Sequence, residues 1–99
     1  MAICLEFLPG LVRSPDSRGA LHLRLDVDLQ PNETVPSLLK RLAGSNRVPV
    51  DAVFDVEGET LHAHLQVVHN GRLVPARDID RFALSDGDTV SFVPLYAGG

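Results

Sequence analysis

Ser91-Phe92-Val93-Pro94-Leu95-Tyr96-Ala97-Gly98-Gly99 are the last nine residues of the sequence. They follow Thr89-Val90, and Thr89 to Pro94 reads as a strand with Val90 and Phe92 turned inward. The strand runs into a proline and then into a slim tail that stops at Gly-Gly. Glycine carries no Cβ, so the backbone at Gly98 and Gly99 fits a channel too narrow for any other residue. Fully extended, Leu95 to Gly99 reaches roughly 17 Å at about 3.4 Å per residue, which puts its carboxylate deep inside a partner while the domain stays outside. A frayed terminus is usually polar, and the Leu95-Tyr96 pair is not, so the tail reads as a segment handled by another protein. The expected division is a folded domain over 1–94 and a flexible tail over 95–99.

Working back from this strand, Asp86-Gly87-Asp88 turns the chain into it, and Pro75 to Leu84 is a connector with one helical turn expected at Asp78 to Phe82. Before that, Asn70-Gly71 is the strongest short hairpin signal in the chain, because a type I′ turn needs positive φ at both central positions. It joins an alternating run, Leu61 to Val68, to a short return strand, Arg72 to Val74. Residues 45–60 carry Val48, Val50, Val53, Phe54 and Val56 without a steady period. They are expected to be irregular structure against the sheet edge, with a turn at Glu57-Gly58-Glu59.

Upstream, Val35, Leu38, Leu39 and Leu42 fall at i, i+3, i+4 and i+7, one apolar stripe of a short helix. Thr34 is the expected N-cap, Pro36 is tolerated in the first turn, Lys40 and Arg41 suit the helix dipole, and Gly44 is the expected stop. Two alternating runs precede it. Ala2 to Leu8 turns Ile3, Leu5 and Phe7 inward, and Leu21 to Leu29 does the same with its leucines and Val27. A loop over 9–19 joins them as an antiparallel hairpin. The order is strand, strand, helix, strand, short strand, last strand, which gives an α+β domain with a mixed sheet of about five strands and one main helix across it.

With 99 residues there is one domain, burying about 65% of its unfolded surface, and no second domain to hold an active-site cleft. A single cysteine, Cys4, excludes an internal disulfide, a thiolate zinc site and an iron-sulfur cluster. The net charge of −4 argues against nucleic acid as partner, which needs a basic stripe, and suits a basic protein groove. No apolar run approaches the roughly 18 residues of a membrane span. Met1-Ala2-Ile3 leads straight into a strand with no secretion signal, so a cytoplasmic location is expected.

The strand order together with Asn70-Gly71-Arg72, Asp86-Gly87-Asp88, Phe92, Pro94 and Ala97-Gly98-Gly99 resembles the sulfur-carrier branch of the ubiquitin-like family, over essentially the whole chain. The ending looks most like the small subunit of molybdopterin synthase, and the thiamin thiazole carrier shares the turn and the Gly-Gly end. The resemblance implies a ubiquitin-like β-grasp fold and a protein cosubstrate rather than an enzyme. An adenylating enzyme of the ubiquitin-activating type would join Gly99 to AMP from ATP. A persulfide sulfur would then displace AMP and leave a thiocarboxylate, and a sulfur-accepting enzyme such as a molybdopterin synthase large subunit would take that sulfur. No bound cofactor is expected, and ATP belongs to the activating partner. Gly99 is then the reacting residue, Gly98 and Ala97 give passage, and Pro94 fixes the strand exit. Leu95 and Tyr96 anchor the tail, with Val93 and Val68 on the docking face.

Three alternatives stay open at this level. One is the same chemistry for thiamin, tRNA thiolation or cysteine synthesis. The others are a ubiquitin-like modifier joined to lysines through Gly99, and a non-covalent β-grasp interaction module. His62 and His64, two apart on an expected strand face, with His22 as a possible third, have metal-ligand spacing, but read better as a solvated face, so no metal is expected. Cys4 is expected to share the outer face with Val68 and Val93 as a small apolar patch.

Overall fold

The alternating runs become a five-stranded mixed sheet in the computed structural model, which describes residues 1–9, 11 and 22–95. Most of the loop expected over 9–19 lies outside those residues, as does the tail except Leu95. Strands β1 (Ala2–Phe7) and β2 (Leu23–Asp28) pair antiparallel, from Ala2 opposite Asp28 to Phe7 opposite Leu23. After the helix α1 (Val35–Leu42) come the two-residue strands β3 (Phe54–Asp55) and β4 (Thr60–Leu61), then β5 (Leu65–His69), β6 (Arg72–Val74) and β7 (Thr89–Pro94). The sheet order is β2-β1-β7-β5-β6, with β7 central, parallel to β1 and antiparallel to β5. One helix over such a sheet is the β-grasp arrangement.

The helix covers the inner face because its stripe matches the inward residues of the strands. Val35, Leu38 and Leu39 are buried with Ile3, Leu5, Phe7, Val27, Val67, Val90 and Phe92. Phe7 and Phe92, opposite one another on the parallel pair, stack at 5.2 Å between ring centroids. Thr34 caps the helix start as expected, its Oγ1 accepting from the Ser37 N–H at 3.3 Å while Ser37 Oγ accepts from the Thr34 N–H at 2.8 Å. Gly44 directly follows the Ala43 cap, where the helix stops as expected, but it is not a left-handed cap. It does not take positive φ; the helix closes on Ala43 in the right-handed region, with the Ala43 N–H on the Lys40 carbonyl. Pro36 sits in the first turn, where no intrahelical donor is lost.

Arg41, near the helix end, does more than suit the dipole. Its guanidinium forks onto Glu33, Nε to Oε2 at 2.7 Å and Nη2 to Oε1 at 2.9 Å, and Nη2 reaches the carbonyl of Asp28 at 2.6 Å. Arg47 reaches the Asp26 carbonyl. Two outward carbonyls of the edge strand β2 are thereby covered, which blunts pairing with another strand there. Burial pushes the Glu33 carboxyl up, but the Arg41 fork and the Gln30 N–H hold it below the usual carboxylate range.

Three expectations need correction. Residues 45–60 are not irregular structure at the sheet edge: Val48, Val50, Val53 and Phe54 are core residues, carried by a 3-10 turn (Val50–Ala52) and the β3–β4 hairpin, whose turn includes the expected Glu57-Gly58-Glu59. An apolar set without period 2 or 3.6 reflects a chain that passes from a loop through a 3-10 turn into a two-residue strand while keeping these residues inward. The run Leu61 to Val68 is not one strand, because the chain breaks at residues 62–64, where His64 takes φ +67°. The helical turn in the connector is a 3-10 turn at Ala76–Asp78, earlier than expected. Asn70-Gly71 fulfils its expectation, with φ +50° and +84°. No described helix is long and apolar enough to cross a membrane.

Candidate functional site

Pro94 is tolerated inside a central strand for a reason of register. Odd-numbered residues of β7 direct their backbone groups to β5, as the Leu95 N–H on the His64 carbonyl (2.7 Å) shows, and even-numbered ones direct theirs to β1, as the Leu8 N–H on the Phe92 carbonyl shows. At Pro94 strand β1 has already ended, so the missing N–H costs no ladder bond. β7 therefore projects past its parallel neighbour. Its last described residue, Leu95, is 47% exposed.

Of the expected tail residues, Tyr96, Ala97, Gly98 and Gly99 lie outside the described residues. Val93, Pro94 and Leu95 lie at the strand exit, with Val93 and Pro94 half-buried. Val90 and Phe92 face inward, so Val93 and Ser91 face outward. Val68, on β5, faces outward opposite Ser91 and Leu73, one step diagonally from Val93. Val68 and Val93 thus share a face, and Leu73, 60% exposed on β6, extends it. Leu73 was missed in the sequence. The signal was there, since pairing Val74 inward against Val67 forces Leu73 outward.

Cys4 does not join this patch. It stands opposite Thr89, and the row between it and Val93 is Glu6 opposite Ser91. Ser91 Oγ donates to Glu6 Oε1 at 2.7 Å, and His22 Nε2 lies 2.8 Å from Glu6 Oε2. These two hydrogen bonds hold the Glu6 carboxyl below its ordinary range against a smaller opposing effect of burial. The outer face is accordingly split into a charged half on β2 and β1 and an uncharged half on β7, β5 and β6, whose apolar part is Val93, Val68 and Leu73 beside Ser91 and Gln66.

The histidines separate as well. His62 Nε2 donates to the Asp51 carbonyl at 2.7 Å, and His64 occupies the left-handed joint before β5. His22 belongs to the Glu6 cluster. Among the described residues no three His, Cys, Asp or Glu side chains gather to hold a metal ion. A cleft of about 370 Å³ lined by Pro36, Leu61, Arg77 and Ile79 lies on the helix side of the sheet, away from the face that carries Val93 and Val68.

The start of β7 is held by Asp88. Its carboxylate accepts from His69 Nε2 at 2.8 Å, Asn70 Nδ2 at 2.9 Å and the Ser85 N–H at 2.9 Å, while Asn70 Oδ1 accepts from the Thr89 N–H at 2.8 Å. Burial pushes Asp88 up, but hydrogen bonds from His69, Asn70 and Ser85 together hold it below the usual range. The two turns that flank β5–β6 and β7 are one hydrogen-bonded unit.

A strand that projects from a sheet centre into a Gly-Gly tail, on a β-grasp domain, meets its counterpart in a family model. The ThiS family model matches residues 19–99. The chain belongs to the ThiS family. Its members are ubiquitin-like sulfur carriers, small proteins that are not enzymes themselves and that generally work with activating enzymes and acceptor enzymes. Solved structures agree. SAMP1 from Haloferax volcanii is similar at 25% identity over 100% of both chains, with a TM-score of 0.67. Urm1 from Trypanosoma brucei is similar at 26% identity, covering 99% of this chain and 95% of its own, with a TM-score of 0.62. The HVO 2177 protein of Haloferax volcanii is similar at 29% identity, covering 100% of this chain and 87% of its own, with a TM-score of 0.57. No curated protein matches the chain.

Proposed function

We propose that this ThiS-family chain carries sulfur as a thiocarboxylate at Gly99 and delivers it in molybdopterin biosynthesis, in the cytoplasm. The observation that supports the reading is the exit of β7, which runs past β1 through Pro94 to an exposed Leu95, the residue from which the Gly-Gly ending continues in sequence. A free carboxylate is a poor acyl donor, because its charge repels nucleophiles and its leaving group is oxide. The Gly99 carboxylate attacks the α-phosphorus of ATP on a ubiquitin-activating-type enzyme, and pyrophosphate leaves. A persulfide sulfur then attacks the acyl carbon and displaces AMP, and a thiol takes up the second sulfur as a disulfide, leaving the thiocarboxylate. Its sulfur, softer and more nucleophilic than oxygen, attacks the electrophilic precursor held by an acceptor such as a molybdopterin synthase large subunit.

In this reading Gly98 and Ala97 pass through the partner's channel, Tyr96 and Leu95 anchor the tail, Pro94 fixes the strand exit at the partner's contact, and Val93, Val68 and Leu73 form the docking face. The choice of molybdopterin rests on Phe92, Pro94 and the Gly-Gly ending. Thiamin, tRNA and cysteine pathways would use the same chemistry on another acceptor. The test is the intact mass of the protein from its native cell. Replacement of oxygen by sulfur adds about 16 Da, a shift expected in the full chain and lost on deletion of Gly99. An unshifted mass in the presence of an adenylating enzyme, ATP and a sulfur donor would remove the carrier reading and leave conjugation to lysines as the next to test. Sulfur delivery to a molybdopterin synthase large subunit, measured with the thiocarboxylated protein, decides the pathway.

A further inference from the structure

His64 combines three features that no role given to it so far uses. It takes φ +67°, a left-handed conformation that glycine, asparagine and, less often, histidine adopt and that β-branched residues resist. Its carbonyl accepts the Leu95 N–H at 2.7 Å. Its side chain is exposed. The bond to Leu95 is the last that β7 makes toward β5, one residue beyond the final ladder pair, Leu65 opposite Pro94. Pro94 has no N–H and no strand beside it on the β1 side, so this single bond decides where the described chain points as it leaves the sheet.

The joint that supplies the carbonyl is itself pinned. Two residues earlier, the His62 N–H donates to the Val53 carbonyl at 2.9 Å and its imidazole to the Asp51 carbonyl. Val53 is fully buried. On the other side Leu65 enters β5. A chain fixed to the core at residue 62 and to the sheet at residue 65 has little freedom at residue 64 other than the left-handed turn. Strained non-glycine residues persist where the surroundings over-determine them.

We propose that His64 is a positioning residue for the tail: its left-handed backbone presents the carbonyl that fixes Leu95, the root from which the tail continues. It acts through its backbone and not through the imidazole. The inference rests on the proposed use of the tail, and its test separates the two.

The test compares His64→Val, which resists the left-handed region, with His64→Asn and His64→Gly, which accept it. A nitroxide on Gly98→Cys in a Cys4→Ser background reports tail direction through the relaxation it induces in sheet amides, with no partner needed. With wild-type His64 the affected amides should be confined to one end of the sheet. His64→Val should spread them and speed exchange of the Leu95 amide about tenfold, with the Val67 amide as the reference for global stability. His64→Asn and His64→Gly should behave as wild type. If His64→Val lowers global protection as well, Leu95→Pro removes the donor directly and should spread the same amides. An unchanged footprint in both His64→Val and Leu95→Pro overturns the proposal, and so does equal damage from His64→Asn, which would assign the effect to the imidazole. In adenylation measured by pyrophosphate exchange, His64→Val should raise KM for the carrier about tenfold and leave kcat within about twofold. Absence of exchange with the wild-type chain would count against the carrier reading, while the nitroxide footprint still decides the role of His64.

Discussion

The two ends of β7 are held in opposite ways. At its entry the Asp88 carboxylate gathers three donors from two turns, Asn70 bonds the Thr89 backbone from both its side chain and its N–H, the Cys4 N–H donates to the Asp88 carbonyl, and the Ala2 N–H donates to Asp86. At its exit, among the described residues, the Leu8 N–H donates to the Phe92 carbonyl, Pro94 donates nothing, and the Leu95 N–H donates to the His64 carbonyl. Between them Val90, Ser91 and Phe92 are buried. A strand clamped by many bonds at its entry and by few at its exit carries the rigidity of the domain as far as Leu95. The contrast separates stability, which is concentrated at the entry, from the delivery role proposed for the exit.

Asp88→Ala attacks the clamp most directly. It leaves His69, Asn70 and the Ser85 N–H without their acceptor in a half-buried site, and an expected loss of about 2–3 kcal/mol would be read from urea unfolding. A loss under about 0.5 kcal/mol would mean that the entry is no more strongly held than the exit. Asn70 comes next. Asn70→Gly keeps the positive φ and loses the side-chain bonds, for about 1 kcal/mol, while Asn70→Ala adds the cost of a left-handed alanine and should approach about 2 kcal/mol. Equal effects of the two substitutions would show that the backbone conformation contributes little.

The same turn shows how much could be read without coordinates. Asn70-Gly71 and Asp86-Gly87-Asp88 were legible as turns because each needs residues that tolerate positive φ, and Gly87 indeed has φ +85°. Their fusion through Asp88 was not, because nothing in the sequence says that side chains 18 and 19 residues apart meet. The helix and the strands β1, β2 and β7 were legible from period, β7 to the residue, whereas the two-residue strands β3 and β4 were not. The break at 62–64 was hidden because Leu61, Ala63, Leu65 and Val67 keep alternating through it, although Ala63 is exposed and the chain has changed direction. Of the outer face, Val68 and Val93 followed from alternation, while Leu95 was read from its place in an apolar pair after Pro94. The separation of Cys4 from them depended on the parallel register of β1 against β7, which pairs Glu6 with Ser91 and which a sequence does not state.

A pH titration sharpens the comparison further. The folded-state pKa of Asp88 lies below its ordinary value, as do those of Glu33 and Glu6. For a depressed carboxyl the stabilisation is fully present above the unfolded value, near 4, and is lost as pH falls through the folded one. Unfolding free energy should therefore be insensitive to these groups above about pH 5 and fall below about pH 4. The Asp88→Ala variant should show a shallower fall than the wild type, because one of the contributing carboxylates is gone. An equal slope in the two proteins would shift the acid sensitivity to Glu33 and its fork from Arg41.

The smallest effect on stability is expected on the apolar part of the outer face, and there the reading of the exit is most exposed to test. Leu73 is 60% exposed, so Leu73→Ser removes little buried surface and should change the unfolding free energy by less than about 0.5 kcal/mol. If the face formed by Leu73, Val68 and Val93 docks on the enzymes that handle the tail, the same substitution should weaken that complex by about 1 kcal/mol, or roughly fivefold in Kd, measured by calorimetry. Arg24→Ala, on the charged half, is the matched control, with binding expected to stay within about twofold because an exposed rim charge contributes little. Equal weakening by both substitutions would mean that the partner covers the whole outer face. Weakening by Arg24→Ala alone would move the interface to β1 and β2, leaving the projection of β7 to act through the tail alone.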